Sequence, residues 1–119
     1  MKKFASYEAF LNDLEKNTGY QVYDERTDSS GVKTPYIVCG RLQDNNIVAD
    51  NTVLVAKDIV DVLLFTVQSN HVIKGQRTKA EAKVKEYLKG IGAIYDTDYD
   101  WIKNASLHKS SYTVEVWYE

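Results

Sequence analysis

The sequence predicts an α+β fold, with two α-helices packed on one face of an antiparallel or mixed β-sheet of five to six strands. Apolar residues recur at helical spacing near the N terminus and again after the middle of the chain, and segments typical of β-strands lie between and after them. Because the strands are grouped and do not alternate with helices, an α+β arrangement is favoured over a parallel α/β fold. The 119 residues predict one domain, spanning 1–119.

The first predicted helix has four large apolar residues on one stripe: Tyr7, Phe10, Leu11 and Leu14. Ser6 precedes them at the position of an N-cap, where its hydroxyl oxygen accepts a hydrogen bond from a free backbone N–H group. Gly19 follows as a C-terminal stop, because glycine adopts the left-handed conformation at low cost.

The second predicted helix runs from about residue 78 to residue 89. Thr78 and Glu81 have the T-x-x-E spacing of a capping box. Five apolar residues then form a stripe: Ala80, Val84, Tyr87, Leu88 and Ile91. The helix is expected to end among Gly90 and Gly92.

Strands are predicted at residues 20–23, 36–43 and 52–68, and a closing hairpin at residues 95–101 and 112–118. Segment 52–68 is long for one strand, so it forms either two strands with a break near residues 56–58 or one long bent strand. The Asp-Asn-Asn at 44–46 and the Ala-Asp-Asn at 49–51 predict turns, with Ile47 and Val48 at a hairpin tip. Residues 24–34 are polar and predict a surface loop.

Charge and cysteine content limit the classes of function. The 15 basic and 17 acidic residues give a net charge of -2, which provides no overall positive field for sequence-specific binding of nucleic acid. The single cysteine, Cys39, is typical of a reducing compartment. Neither a long apolar segment nor a leader-like start is visible, so we expect an intracellular protein without a membrane partner.

The motifs of catalysis and metal binding are incomplete. Cys39 lies in an apolar strand and is read as a buried core residue, and neither His71 nor His108 has a partner at metal-ligand spacing. The acidic strand, defined by Asp96, Asp98 and Asp100, has the D-x-D-x-D opening of a calcium loop. It has Trp101 and Leu107 where that loop needs Gly and Glu. We therefore expect no metal, no cofactor and no enzymatic activity.

Opposite charges are concentrated in two different segments. Basic residues cluster in and before the second helix, at Lys74, Arg77, Lys79, Lys83, Lys85 and Lys89. The acidic strand lies further along the chain. Such a separation suits head-to-tail association, in which the basic face of one copy meets the acidic face of the next. The alternative is that both are ordinary solvated surfaces.

Two segments carry a resemblance to a known family. The sequence PYIVCG at residues 35–40, followed by NNIVADNTV at residues 45–53, resembles the tail terminator (tail completion, or head-tail joining) proteins of long-tailed bacteriophages and prophages of Gram-positive bacteria. The helix near residues 78–89 and the tyrosine-rich closing hairpin fit the same plan. The chain departs from the pattern at Thr52-Val-Leu, where an aromatic residue is expected, and at residues 26–33.

The resemblance implies a structural virion protein without catalysis. Its members assemble as a ring, expected to be a hexamer, that caps the tail tube and offers its other surface to the head connector or head-closure protein. The implied location is the tail–head junction of the virion, after assembly in the cytoplasm of the bacterial host. The alternative functions are another phage neck or connector component, or a small phage-encoded regulatory binding module.

Two surfaces are predicted to make the contacts of this assembly. The predicted partner-binding residues belong to the polar loop and the predicted turn: Asp24, Glu25, Arg26, Asp28, Lys33, Asn45, Asn46, Asp50 and Asn51. The predicted subunit-interface residues are Lys79, Lys83, Asp96, Asp98 and Asp100. The three aspartates have a second interpretation as residues lining a channel, where negative charge repels the phosphates of passing DNA.

Overall fold

A computed structural model describes residues 1–25, 33–49, 52–67, 75–102 and 107–119, and in these ranges the chain forms six strands and two helices. The first half contains β1 (Lys3–Phe4), α1 (Tyr7–Thr18), β2 (Gln21–Asp24) and β3 (Tyr36–Ala49). The second half contains β4 (Thr52–Val67), α2 (Gln76–Gly90), β5 (Tyr95–Ile102) and β6 (Leu107–Tyr118). The helices have 12 and 15 residues, and neither is long and apolar enough to cross a membrane.

Both predicted caps of α1 are confirmed. The Oγ atom of Ser6 accepts a hydrogen bond of 3.1 Å from the backbone N–H of Ala9. At the other end Gly19 has φ = 78°, and its N–H group donates to the carbonyl oxygen of Glu15. The helix therefore begins and ends where local chemistry dictates.

The predicted capping box of α2 is wrong. The helix begins two residues earlier than Thr78, and its N-cap is Gly75, which has φ = 95° and no side chain to cap the helix. The hydroxyl group of Thr78 donates instead to the carbonyl oxygen of Gly75, at 3.0 Å. Glu81 is buried and binds Ser110 on β6, so tertiary contacts take the side chain that the local motif would have used.

The sheet is mixed, and of the two predicted alternatives the antiparallel one is wrong. The strand order is β1-β6-β4-β3-β2, with β5 also paired to β6. The β1–β6 and β2–β3 pairs are parallel and the other pairs are antiparallel. Helix α1 connects β1 at one side of the sheet to β2 at the other, and because these two strands run in the same direction the connection has to cross the sheet.

The core lies between one sheet face and the two helices. Val60, Val62 and Leu64 alternate along β4 and are fully buried, as period-2 patterning requires. Their partners across β6 include Val114 and Tyr112, which are also fully buried. The helices contribute to the same cluster the buried residues Tyr7, Phe10, Leu11, Leu14, Ala80, Val84, Tyr87 and Leu88.

Strands β3 and β4 form one long hairpin, which corrects the predicted turn at residues 44–46. Asn45 and Asn46 lie within β3, opposite Lys57 and Ala56 of β4. Strand pairing therefore overrides the turn preference of these asparagines. Residues 52–67 are one strand, as one of the two alternatives predicted, and the register slips at residues 42 and 54, not near 56–58. Residues 50–51 lie outside the described ranges.

The predicted closing hairpin is confirmed as an antiparallel pair, but β5 lacks the buried face that the alternation of aromatic and acidic residues at 95–101 predicts for a half-buried strand. Residues 96–101 of β5 are exposed on both faces, whereas Tyr112, Val114 and Val116 of β6 are buried on one face. Because β5 is an edge strand, Tyr99 remains accessible even though it alternates with aspartates, whereas Tyr95 at the start of the strand packs partly against the core.

Candidate functional site: an acidic sheet edge and a protruding hairpin

The three aspartates of the acidic strand lie together on the outer face, which is the sheet face opposite the helices. Asp96, Asp98 and Asp100 pair with Thr113, Ser111 and Lys109 of β6, which alternate with the buried residues of that strand. All three aspartates are exposed. Their common face follows from the two-residue period of a strand, so this part of the site is predictable from sequence.

Carboxylates also occupy the hydrogen-bond donors of the sheet edges. Asp98 Oδ1 accepts a 2.9 Å hydrogen bond from the backbone N–H of Tyr99, and Asp100 Oδ1 accepts one of the same length from Trp101. At the opposite edge Glu15 Oε2 accepts from the backbone N–H of Val22, at 2.9 Å. Charged groups of this kind discourage the addition of a foreign strand.

The two predicted interface lysines lie on the helical side of the molecule. Lys79 and Lys83 are exposed on α2, and Lys83 Nζ lies 5.2 Å from the ring centroid of Tyr20. Because α2 packs on the face opposite the three aspartates, the basic and acidic groups point to opposite sides of the sheet. Lys85 is different, since its ammonium group donates to the Tyr99 hydroxyl at 2.8 Å and so contacts β5.

The predicted partner-binding residues do not form one cluster. Asp24 and Glu25 are exposed at the end of β2, where the N–H of Glu25 donates to the carbonyl oxygen of Cys39 at 2.6 Å. Asn45 and Asn46 lie in β3, and Asn45 is six residues beyond Cys39, which corresponds to about 20 Å. Lys33 is exposed just before β3. The remaining predicted residues, Arg26, Asp28, Asp50 and Asn51, lie outside the described ranges.

The distal half of the long hairpin forms an arm, defined as residues 42–49 of β3 and 52–56 of β4. Among the described strands, β2 pairs with β3 only as far as Cys39, and β6 pairs with β4 only from Lys57 onward. The molecule is accordingly elongated, with extents of 58 × 26 × 22 Å. Its radius of gyration is 15.4 Å, against about 13.5 Å for a compact domain of this length. The sequence did not predict the arm, because Asn45 and Asn46 are typical turn residues.

A partly buried polar cluster joins α2 to β6. The Ser110 hydroxyl donates to Glu81 Oε2 at 3.0 Å, and Glu81 Oε1 lies 3.4 Å from Arg77 Nε. Arg77 Nη1 lies 2.7 Å from His108 Nε2. Because a guanidinium group only donates, Nε2 accepts and the neutral ring carries its proton on Nδ1. The sequence did not predict this cluster, because its residues on α2 and on β6 are distant in the sequence.

The chemistry of this cluster is that of a structural contact. Burial lowers the pKa of His108, and the positive charge of Arg77 adds to this effect. The accepting nitrogen of the ring already faces Arg77, so it is not free to take a proton from a substrate. Cys39 is fully buried, and burial raises the pKa of its thiol. Within the described ranges, His, Cys, Asp and Glu residues form no group of three or more placed to hold a metal ion.

Comparison with known proteins gives a likeness of fold. No protein-family model matches the sequence, and no curated protein matches it. Among solved structures, the chain is similar to a chain of the virion of a native gene transfer agent particle, with a TM-score of 0.59 and 11% sequence identity. The match covers 87% of this chain and 82% of that chain. At this identity the likeness establishes a shared fold over most of the described α+β domain.

Proposed function

We propose that this chain is a structural virion protein of a long-tailed phage, acting in the neck as a ring-forming subunit that caps the tail tube and joins the tail to the head. The observation that carries the proposal is the fold shared with a chain of a virion particle over 87% of the length. The neck role that we propose is the one implied by the resemblance of residues 35–40 and 45–53 to tail terminator proteins.

The charge distribution supports assembly from copies of the chain. Lys79 and Lys83 are exposed on the helical side, whereas the acidic strand is exposed on the outer face. An interface between these two different surfaces is heterologous, and a heterologous interface closes into a ring when its rotation divides a full turn. We propose a ring of six, located at the junction of tail and head.

The same surfaces offer contacts to the neighbouring virion parts. We propose that the end of β2 near Asp24 and Glu25, together with Lys33, contacts the tail tube protein or the head connector. All three residues are exposed. The alternative role of Asp96, Asp98 and Asp100 is to line the channel instead of contacting the next subunit: in a ring whose outer sheet faces point inward, they would repel DNA phosphates. The proposed role involves assembly only and no covalent chemistry.

Electron microscopy of the purified protein, with and without isolated tail tubes, tests the proposal. We expect rings, and density at one end of each tube. A phage with the gene deleted should produce tails of abnormal length or tails detached from filled heads. Tails of normal length on full heads would contradict the neck role, and binding to a host protein without affinity for tubes would favour the regulatory module.

A further inference from the structure

We propose that the arm is a self-association element, in which the free edge of β3 in one copy pairs with the free edge of β4 in the next. The partner is therefore a second copy of this chain. This inference rests on the proposed ring assembly and adds a second contact between neighbouring subunits to the charged one. Main-chain hydrogen bonds between the arms would supply the affinity, as in other cases of strand addition.

The arm has two unpaired backbone edges in the described structure. Strand β3 has no neighbour beyond Cys39 except β4, and residues 52–56 of β4 have no neighbour except β3. Each edge presents a row of N–H and C=O groups able to accept another strand. The free part of β4 has five residues, which corresponds to about 17 Å of strand.

The edges of the body differ from those of the arm. Carboxylates occupy the edge N–H groups of Val22 in β2 and of Tyr99 and Trp101 in β5. An incoming strand would have to displace these carboxylates and would place its own carbonyl oxygens beside them. The structure therefore directs strand addition away from the body and toward the arm.

The arm is poorly suited to remain an isolated ribbon. A hairpin of two strands without further packing is at most marginally stable in water. Its sequence is nonetheless typical of a buried strand, with Ile-Val-Ala at 47–49 and Val-Leu-Val-Ala at 53–56. At its base, Leu42 is 59% exposed, although leucine usually lies in the interior. Pairing with a second arm would add strands to the ribbon and satisfy the backbone groups of its free edges.

In a ring, rotational symmetry favours pairing of the β3 edge of one arm with the β4 edge of the next arm. Strands β3 and β4 run in opposite directions, so copies placed side by side around an axis bring β3 of one arm against an antiparallel β4 of the next. This arrangement uses both edges of every arm and leaves none free. Charge favours it as well, because residues 52–56 contain no ionisable side chain, whereas a β3–β3 contact would bring together two edges that contain Asp44.

The first test removes residues 46–49 and 52–56 of the arm, including all of its β4 part, and keeps the body. Residues 46–56 are replaced by Asn-Gly, which forms a two-residue turn between Asn45 and Lys57, a directly paired position. We expect the trimmed chain to remain folded by circular dichroism and to sediment as a monomer at concentrations where the full chain forms rings. A folded, trimmed chain that still forms rings would overturn the inference.

The second test uses disulfide formation between two single-site variants. One variant carries a cysteine at one of positions 43–47, scanned in turn, and the other carries Val53→Cys. The native Cys39 is fully buried and does not compete. Mild oxidation of the mixture should give a mixed dimer at one or two of the scanned positions, with at least tenfold less of either homodimer. Glu8→Cys, on the exposed side of α1, is the matched control and should not cross-link.

The two proposals fail in different ways. If the full chain forms rings but no scanned position yields a mixed dimer, the arm contact is wrong and the ring assembly stands. If the full chain remains monomeric and does not bind tail tubes, the proposed function itself is wrong.

Discussion

The hydroxyl group of Ser110 donates a 3.0 Å hydrogen bond to Glu81, and the two buried side chains join β6 to α2. Replacing Glu81 with alanine should lower the free energy of unfolding by about 2–3 kcal/mol, because Ser110 then loses its partner and Arg77 loses a carboxylate. Glu81→Gln retains an acceptor and should lose about half as much. Urea denaturation measures both, and equal midpoints for wild type and Glu81→Ala would contradict the prediction.

The hydroxyl group of Tyr87 on α2 donates a 2.7 Å hydrogen bond to Asp13 on α1. Tyr87→Phe should lower the free energy of unfolding by about 1 kcal/mol, because the removed hydrogen bond connects the two helices. Tyr99→Phe is the matched control: the same atom is removed from a side chain that is 49% exposed. Its expected effect is within about 0.5 kcal/mol. A larger destabilisation by Tyr99→Phe than by Tyr87→Phe would contradict the prediction.

Replacement of glycine by alanine should have opposite effects on stability at two positions. Gly19 has φ = 78°, so Gly19→Ala should destabilise the protein by about 1 kcal/mol. Gly90 lies in α2, and a methyl group added there meets no atom within 4 Å. Gly90→Ala should therefore be neutral or stabilise the protein by up to about 1 kcal/mol. Thermal melts of both variants under identical conditions check the contrast.

Stability should fall as the pH is lowered from 7.5 to 5. Burial lowers the pKa of His108 in the folded protein below its ordinary value of 6.5, and Arg77 adds to this effect. The unfolded chain therefore binds a proton at a higher pH than the folded chain does. The stability that neutral His108 contributes is present above pH 6.5. It is lost as the pH falls through the pKa of His108 in the folded protein. In His108→Gln the urea midpoint should change less with pH in this range. The same pH dependence in the variant and the wild type would contradict the role of His108.

Reversing the charge of the exposed face of α2 should weaken association. Lys79→Glu combined with Lys83→Glu should raise the concentration needed for ring formation at least tenfold, because two attractive groups become repulsive toward the acidic strand. Lys3→Glu combined with Lys16→Glu changes the net charge equally at exposed positions outside α2 and serves as the control. Sedimentation velocity at low and high salt measures the effect. Equal weakening by both pairs would indicate a response to net charge alone.

Local signals predicted the elements whose ends are fixed locally. The α1 caps at Ser6 and Gly19 depend on groups within four residues, and sequence identified both. The start of α2 does not depend on neighbouring groups alone, because Glu81 binds Ser110, which is 29 residues away. The parallel pairs of β1 and β2 also join segments distant in sequence, so the mixed character of the sheet was left as an alternative.

The candidate site was predictable only in part. Alternation alone placed Asp96, Asp98 and Asp100 on one face, as the register confirms. The arm was hidden because Asn45 and Asn46 favour turns in isolation, whereas their pairing with β4 extends the hairpin. The carboxylate of Glu15 at Val22 was equally unpredictable, since it depends on how α1 lies beside β2.

Cys39 provides a built-in reporter of breathing motions in the sheet. It is the single cysteine of the chain, and its side chain has no exposed surface. A thiol reagent such as Ellman's reagent can reach the sulfur only when β3 separates from the helical layer. The reaction rate of the unmodified protein therefore measures how often the interior opens, and its slowing on assembly would show that neighbouring subunits restrain this opening.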